Sequence, residues 1–89
     1  MIEEKDIRAI YEGFYNLFEK VGIQECTLGW SRIVLPVMND IGETLSAGYR
    51  EEESRALGEV IKRLNEEYLQ KIKELAFKHQ KNSLGAIAE

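Results

Sequence analysis

The clearest pattern near the start of the chain is a run of apolar side chains spaced three and four residues apart. They are Ile7, Ile10, Tyr11, Phe14, Leu17, Phe18 and Val21. This spacing places apolar residues on one face of a helix. Acidic residues at 3, 4 and 6 suit the first turn of a helix, and Gly22 suits the left-handed position just past its end. The pattern predicts a helix from about Glu3 to Val21.

A longer stripe with the same spacing lies in the second half of the chain. Its members are Leu57, Val60, Ile61, Leu64, Tyr68, Ile72, Leu75 and His79. It predicts a helix from about Tyr49 to Gln80, with the three glutamates Glu51–Glu53 in the first turn, where the helix dipole favours negative charge. The last residues, 82–89, lack strong periodicity and are predicted to form a flexible or weakly docked tail to a single helical domain, 1–81.

The two predicted helices differ in length, at roughly 45 Å against roughly 28 Å. The short helix cannot cover the whole apolar stripe of the long one, so the middle segment or a second copy of the chain must cover the remainder. The sequence therefore predicts an all-α fold, a small helical hairpin or bundle with a long C-terminal amphipathic helix. We also expect it to self-associate, with a homodimer as the favoured form.

The middle segment allows two interpretations. Residues 30–35 alternate in a way that fits a short strand, although the chain offers such a strand no pairing partner except a copy of itself. The competing interpretation is a helix that begins at Leu28 or at Pro36 and continues through Ser46. Proline is tolerated in the first turn of a helix, and Met38, Ile41 and Leu45 continue a helical stripe. We prefer the helix.

Composition and charge narrow the class of protein. The chain has 89 residues, a net charge of −4 and one cysteine. The acidic balance makes a broad nucleic-acid surface unexpected, although lysines at 71, 73, 78 and 81 leave weak nucleic-acid binding as an alternative. The start of the sequence lacks the pattern of a signal peptide, and no run is apolar enough to cross a membrane, so we expect a cytoplasmic protein.

Five side chains are the candidate contacts for a partner or ligand. Trp30 is the expected protein contact, because tryptophan is enriched at interface hot spots, and Arg32 is grouped with it two residues later. Tyr49, Arg50 and Arg55 follow Gly48, and their arginines could recognise a small anion such as a nucleotide. The alternative interpretations are purely structural: Trp30 packs in the core, and Arg55 pairs with neighbouring glutamates.

Chemistry is not indicated elsewhere in the sequence. One cysteine and one histidine exclude a zinc motif, and adjacent glutamates on a helix point in different directions, so we expect no metal, no cofactor and no catalytic residue. The sequence predicts a small acidic helical module for protein–protein interaction, such as a regulator, adaptor, inhibitor or assembly subunit. Binding of an anionic ligand and weak nucleic-acid binding remain as alternatives.

Overall fold

The computed structural model describes residues 2–22 and 25–88, with side chains as far as His79, and every regular element in this part of the chain is helical. The elements are α1 (Glu4–Val21), α2 (Cys26–Gly29), a π-helical turn (Trp30–Val34), α3 (Leu35–Ser46) and α4 (Glu51–Ala88). The segment from α2 to α3 is unbroken and is called the middle helix, 26–46. The predicted all-α fold with a long C-terminal helix is confirmed, as a compact arrangement of three helices.

The ends of α1 follow from local signals. The backbone N–H of Glu3 donates to the Asp6 carboxylate at 3.0 Å, which satisfies a donor just before the helix begins. At the other end, Gly22 adopts φ 72° and its N–H donates to the carbonyl of Phe18 at 3.1 Å. Both ends lie within one residue of their predicted positions.

The glycines of α1 provide a matched pair for testing these local effects. Gly22→Ala is expected to lower the free energy of unfolding by about 1 kcal/mol, because a side chain is strained at positive φ. Gly13→Ala is expected to raise it by up to about 1 kcal/mol, because Gly13 is inside the helix and an added Cβ meets nothing within 4 Å. Urea unfolding of both variants measures the two effects, and changes of the same sign would contradict this account.

The structure of the middle segment settles whether residues 28–35 are helix or strand and whether the later helices join across Gly48. Residues 28–35 are helical, so the strand interpretation is wrong. The later helices do not join across Gly48, because residues 47–50 form a turn and α4 begins at Glu51 rather than Tyr49. The hydroxyl of Ser54 donates to the carbonyl of Ser46 at 3.1 Å, which ties the start of α4 to the end of α3.

A ladder of ion pairs joins α1 to α4, and we call it the seam. Its rungs are Glu4–Arg63, Arg8–Glu67 and Glu12–Lys71. Each rung joins residues 59 apart in sequence, so α1 and α4 run parallel and the middle helix runs back between their ends. In these rungs the charges of α4 reach across to α1, whereas Arg55 pairs with Glu51 within α4 itself.

An aromatic cluster fills the core where the three helices meet. The ring of Tyr68 stacks on those of Tyr11, at 5.1 Å between centroids, and Trp30, at 6.3 Å. Phe18 packs edge-on against Trp30 at 5.4 Å. The hydroxyl of Tyr11 donates to the side-chain oxygen of Asn65, so the one polar atom of that buried ring is satisfied.

The middle helix covers the part of the α4 stripe that α1 leaves open. Residues from Leu57 to Leu75 along this stripe are buried by α1 and the middle helix together. The difference in helix length therefore does not require a second copy of the chain, and self-association has to be argued from other features. The predicted tail, 82–89, lies outside the residues whose side chains the structure describes, so its weak docking stays a prediction.

Candidate functional site

The middle helix has two rows of apolar side chains, one fully buried by the fold and one only partly buried. Its inner face is formed by Cys26, Trp30, Val34 and Met38, each of which is fully buried. These residues are spaced by four, which would drift around a straight α-helix by about 40° at each step. The π turn at Trp30–Val34 holds more residues per turn and keeps the four side chains in line.

Pro36 gives a physical reason for the π turn. A proline in this position has no N–H to donate to the carbonyl of Arg32, and its ring would clash with that carbonyl in a regular helix. The N–H of Leu35 donates instead to the carbonyl of Trp30, five residues back, which opens the turn. Pro36 then stands in the first turn of α3.

The outer face of the middle helix carries an apolar stripe that the fold leaves partly uncovered. Its residues are Ile33, Val37, Ile41 and Leu45, which we call the outer stripe. Ile33 is 53% exposed and Val37 37% exposed, whereas Ile41 and Leu45 are half-buried against the core. The last three line a shallow depression of about 330 Å³ together with Asp40 and Thr44. The sequence pattern grouped Ile41 and Leu45 with Met38 and did not indicate that Ile33 and Val37 are exposed, because the shift in phase at the π turn decides which apolar residues point outward.

Trp30 lies in the core and not on this surface. Its ring is 0% exposed, and it packs among Tyr11, Phe18 and Tyr68. The expected partner contact at Trp30 would require the bundle to open, because the core packing that the sequence also allowed is what the structure shows. Its Nε1–H finds no acceptor among the described residues.

Arg32 is the predicted contact residue that is exposed on the middle helix. It immediately precedes Ile33, its side chain is exposed, and it takes part in no ion pair among the described residues. Glu43 is likewise exposed, but it lines the groove between α3 and α4, on the opposite side of the helix from Val37, Ile41 and Leu45. The charged residue that lies with the stripe is Asp40.

The structure does not gather Tyr49, Arg50 and Arg55 into one pocket. The Tyr49 hydroxyl accepts a hydrogen bond from the backbone N–H of Ile2 at 3.3 Å. Arg55 pairs with Glu51 at 3.5 Å, as the structural interpretation expected. Arg50 is exposed in the turn before α4. None of the three lines the cavities described here. Anion binding at this turn stays a prediction.

The lysines proposed for nucleic-acid binding are divided in their roles. Lys71 pairs with Glu12 at 3.6 Å and lies over the ring of Tyr68 at 4.8 Å, so it belongs to the seam. Lys73 and Lys78 are exposed on α4, and the side chain of Lys81 lies outside the described residues. This part of α4 thus presents two exposed lysines and does not form a basic groove.

Cys26 and His79 meet although 53 residues separate them, which no sequence signal indicated. The thiol Sγ lies 3.6 Å from the imidazole Nδ1. Burial raises the pKa of the Cys26 thiol, which favours the neutral thiol over the nucleophilic thiolate. This pair therefore fastens the start of the middle helix to α4 and is poorly suited to nucleophilic attack.

Two further cavities lie between helices. A groove of about 510 Å³ separates α3 from α4, with the glycines Gly42 and Gly58 on its two sides and Lys62 and Glu43 at its edges. A smaller pocket of about 220 Å³ lies where the start of α1 meets the start of α4. Its carboxylates at Glu3 and Glu4 already contact Lys5 and Arg8.

Two further features concern metal binding and membrane insertion, and both are absent from the described residues. Within them, no cluster of three or more His, Cys, Asp or Glu side chains could hold a metal ion. No helix in the described part of the chain combines the length and apolar character that crossing a bilayer requires.

Comparisons with known proteins complete the description of the site. No protein-family model, curated protein sequence or solved structure matches this chain. The function has to be argued from the surface itself.

Proposed function

We propose that this chain is a non-enzymatic helical module for protein–protein interaction that works by self-association through the outer stripe of the middle helix. The observation that carries the proposal is the exposure of Ile33 and Val37 beside the half-buried Ile41 and Leu45. Singly exposed apolar residues are common on protein surfaces, but a continuous stripe along one helix is typical of an interaction surface.

The two-faced character of the middle helix supports the same proposal. A helix at the surface of a monomer normally has one apolar face and one polar face. Here the inner face is buried to Met38, and the outer face repeats Ile, Val, Ile and Leu at intervals of four. A helix with apolar residues on both faces is normally covered on both, so a second helix packed on the outer stripe would complete it.

The size of the stripe sets the strength of the association that we expect. A standard stable interface buries about 800 Å² on each partner. One helix packed along four side chains covers less than that, and the stripe is interrupted by the charge of Asp40. We therefore expect a reversible complex in the micromolar range, which is typical of transient regulatory or assembly contacts.

Sedimentation equilibrium at increasing protein concentration tests the proposal. The wild type is expected to pass from monomer to dimer as its concentration rises through the micromolar range. Ile33→Glu is expected to raise the dissociation constant at least about 10-fold, because it places a charge in the apolar contact. Circular dichroism should remain helical, since Ile33 is half-exposed and outside the core.

Leu17→Glu is the matched control for this experiment. Leu17 is 52% exposed, close to the 53% of Ile33, and it also lies in a helix, but on α1 and away from the stripe. The dissociation constant of the Leu17→Glu dimer is expected to equal that of the wild-type dimer. A wild type that stays monomeric at every concentration, or equal losses in both variants, would contradict the proposal.

A further inference from the structure

The groove between α3 and α4 has polar side chains on both of its walls. Its volume is about 510 Å³, and it lies on the opposite side of the middle helix from Val37, Ile41 and Leu45. Cavities of about 300–1,000 Å³ are of the size that binds small molecules. We infer that this groove binds a small zwitterion of the α-amino-acid class, with its carboxylate towards α4 and its ammonium towards α3.

The α4 wall supplies hydrogen-bond donors. Lys62 and Asn65 line it three residues apart, so they are neighbours on the helix surface. Lys62 forms no ion pair within the described part of the chain, although Glu59 and Glu66 stand at helical spacing from it. The side-chain oxygen of Asn65 accepts the hydroxyl of Tyr11 on the core side, which leaves the two N–H donors of its amide for the groove. An ammonium and an amide side by side can share the two oxygens of one carboxylate.

The α3 wall supplies hydrogen-bond acceptors. Asn39, Glu43 and Ser46 line it at spacings of four and three, which places them on one face of α3. Each carries an oxygen that can accept, and an amino-acid ammonium has three N–H groups to donate. Among the described residues Glu43 forms no ion pair, either within α3 or with Lys62 across the groove. The two walls thus hold one unpaired charge of each sign, which complements a ligand that carries both charges.

Two glycines and one isoleucine shape the space between these walls. A Cβ at Gly42 would lie 2.7 Å from Cδ1 of Ile61, so the glycine lets α3 approach α4 closely there. A Cβ at Gly58 would meet nothing within 4 Å, so the α4 wall is open at that point. The buried side chain of Ile61 is the apolar surface of the groove. An amino acid with an apolar side chain, such as leucine, is therefore the suitable probe.

An NMR titration of the backbone amide signals tests the inference with three probes. L-Leucine is expected to bind with a dissociation constant in the millimolar range and to shift the signals of Gly42, Gly58 and Asn65. Leucinamide, which lacks the carboxylate, and N-acetyl-leucine, which lacks the ammonium, are each expected to bind at least about 10-fold more weakly. No saturable shift with leucine, or equal binding of either analogue, would overturn the inference.

Charge-removing variants test the orientation of the ligand. Lys62→Gln is expected to lose the preference for leucine over leucinamide, because the carboxylate no longer meets a cation. Glu43→Gln is expected to lose the preference for leucine over N-acetyl-leucine for the corresponding reason. Lys73→Gln is the matched control, since Lys73 is also an exposed lysine of α4 but does not line the groove, and both preferences should be kept. Equal losses in the Lys62 and Lys73 variants would overturn the assignment of Lys62.

Filling the groove tests its place independently of charge. Gly58→Leu is expected to weaken leucine binding at least about 10-fold, because the new side chain extends from the open wall into the groove. The helix should be at least as stable as before, since leucine favours helix more than glycine does, and urea unfolding checks this. A folded Gly58→Leu protein that binds leucine like the wild type would overturn the groove as the site. Self-association is not required here, so a monomeric wild type would contradict the proposed function and leave this inference standing.

Discussion

Trp30→Ala is expected to lower the free energy of unfolding by about 3–5 kcal/mol. The indole is fully buried. It contacts the rings of Tyr11 and Phe18 from α1 and the ring of Tyr68 from α4. Its removal leaves a cavity at the point where the three helices meet. Small domains are stabilised by about 0.05–0.15 kcal/mol per residue, so the loss is a large share of the total for 89 residues.

Chemical unfolding followed by circular dichroism measures this effect. Arg32→Ala is the control from the same turn of helix, and it should change the free energy of unfolding little, because its side chain is exposed. Trp30→Phe should cost less than Trp30→Ala, since it keeps an aromatic ring and removes an N–H that has no acceptor among the described residues. A Trp30→Ala protein as stable as the wild type would contradict the core role.

Alkaline unfolding between about pH 10 and 12 is the second large effect that we expect. Burial raises the pKa of Tyr11 to about 12. Burial, followed by the hydrogen bond to the Glu12 carboxylate, raises the pKa of Tyr68 to about 12. An unfolded tyrosine titrates near ~10. The folded state therefore holds both protons more tightly, and this contribution is complete below about pH 10 and is lost as the pH rises through 12.

The size of the alkaline effect follows from the same pKa values. Each pKa unit corresponds to about 1.4 kcal/mol, so each tyrosine contributes about 2–3 kcal/mol that disappears at high pH. Loss of both contributions approaches the whole stability of a small domain. Helix content by circular dichroism and tyrosinate absorbance, followed together against pH, should change in one transition.

Phenylalanine variants separate the tyrosines from other alkaline effects, such as loss of charge on lysines. Tyr11→Phe combined with Tyr68→Phe is expected to lose about 1 kcal/mol per hydroxyl at neutral pH, because two buried hydrogen bonds are removed. Its stability should then fall less between pH 10 and 12 than that of the wild type. Equal losses in the two proteins over this range would show that these hydroxyls do not control the transition.

The parts of the fold that were predictable from sequence are those set by local signals. The ends of α1 were within one residue because Asp6 and Gly22 act through hydrogen bonds to near neighbours. The α4 stripe was recognised because its spacing repeats over many turns. The bounds of the middle helix were harder to predict, because Pro36 suits either the start of a new helix or a wider turn inside one. Only packing against α4 decides between these two possibilities.

The candidate site was less predictable because it depends on which face of the middle helix packs inward. From sequence, Trp30 suited core packing and was also the candidate for an interface contact. Its place is fixed by Tyr11 and Tyr68, which lie far away in the chain. The outer stripe is defined by the same choice, since burying Val34 and Met38 turns Ile33 and Val37 outward. Arg32 was identified from its place beside Trp30 in the sequence, and the structure leaves its side chain exposed.

The seam also disfavours a shift of α1 along α4. Along α1 the signs run negative, positive, negative at Glu4, Arg8 and Glu12, and along α4 they run in the opposite order at Arg63, Glu67 and Lys71. A slip of α1 by one helical turn towards the end of α4 sets Glu4 against Glu67 and Arg8 against Lys71. A slip the other way sets Arg8 against Arg63 and Glu12 against Glu67. Alternation of sign at four-residue intervals thus makes both neighbouring registers repulsive, so these surface charges select one alignment of two parallel helices even where each pair adds little stability.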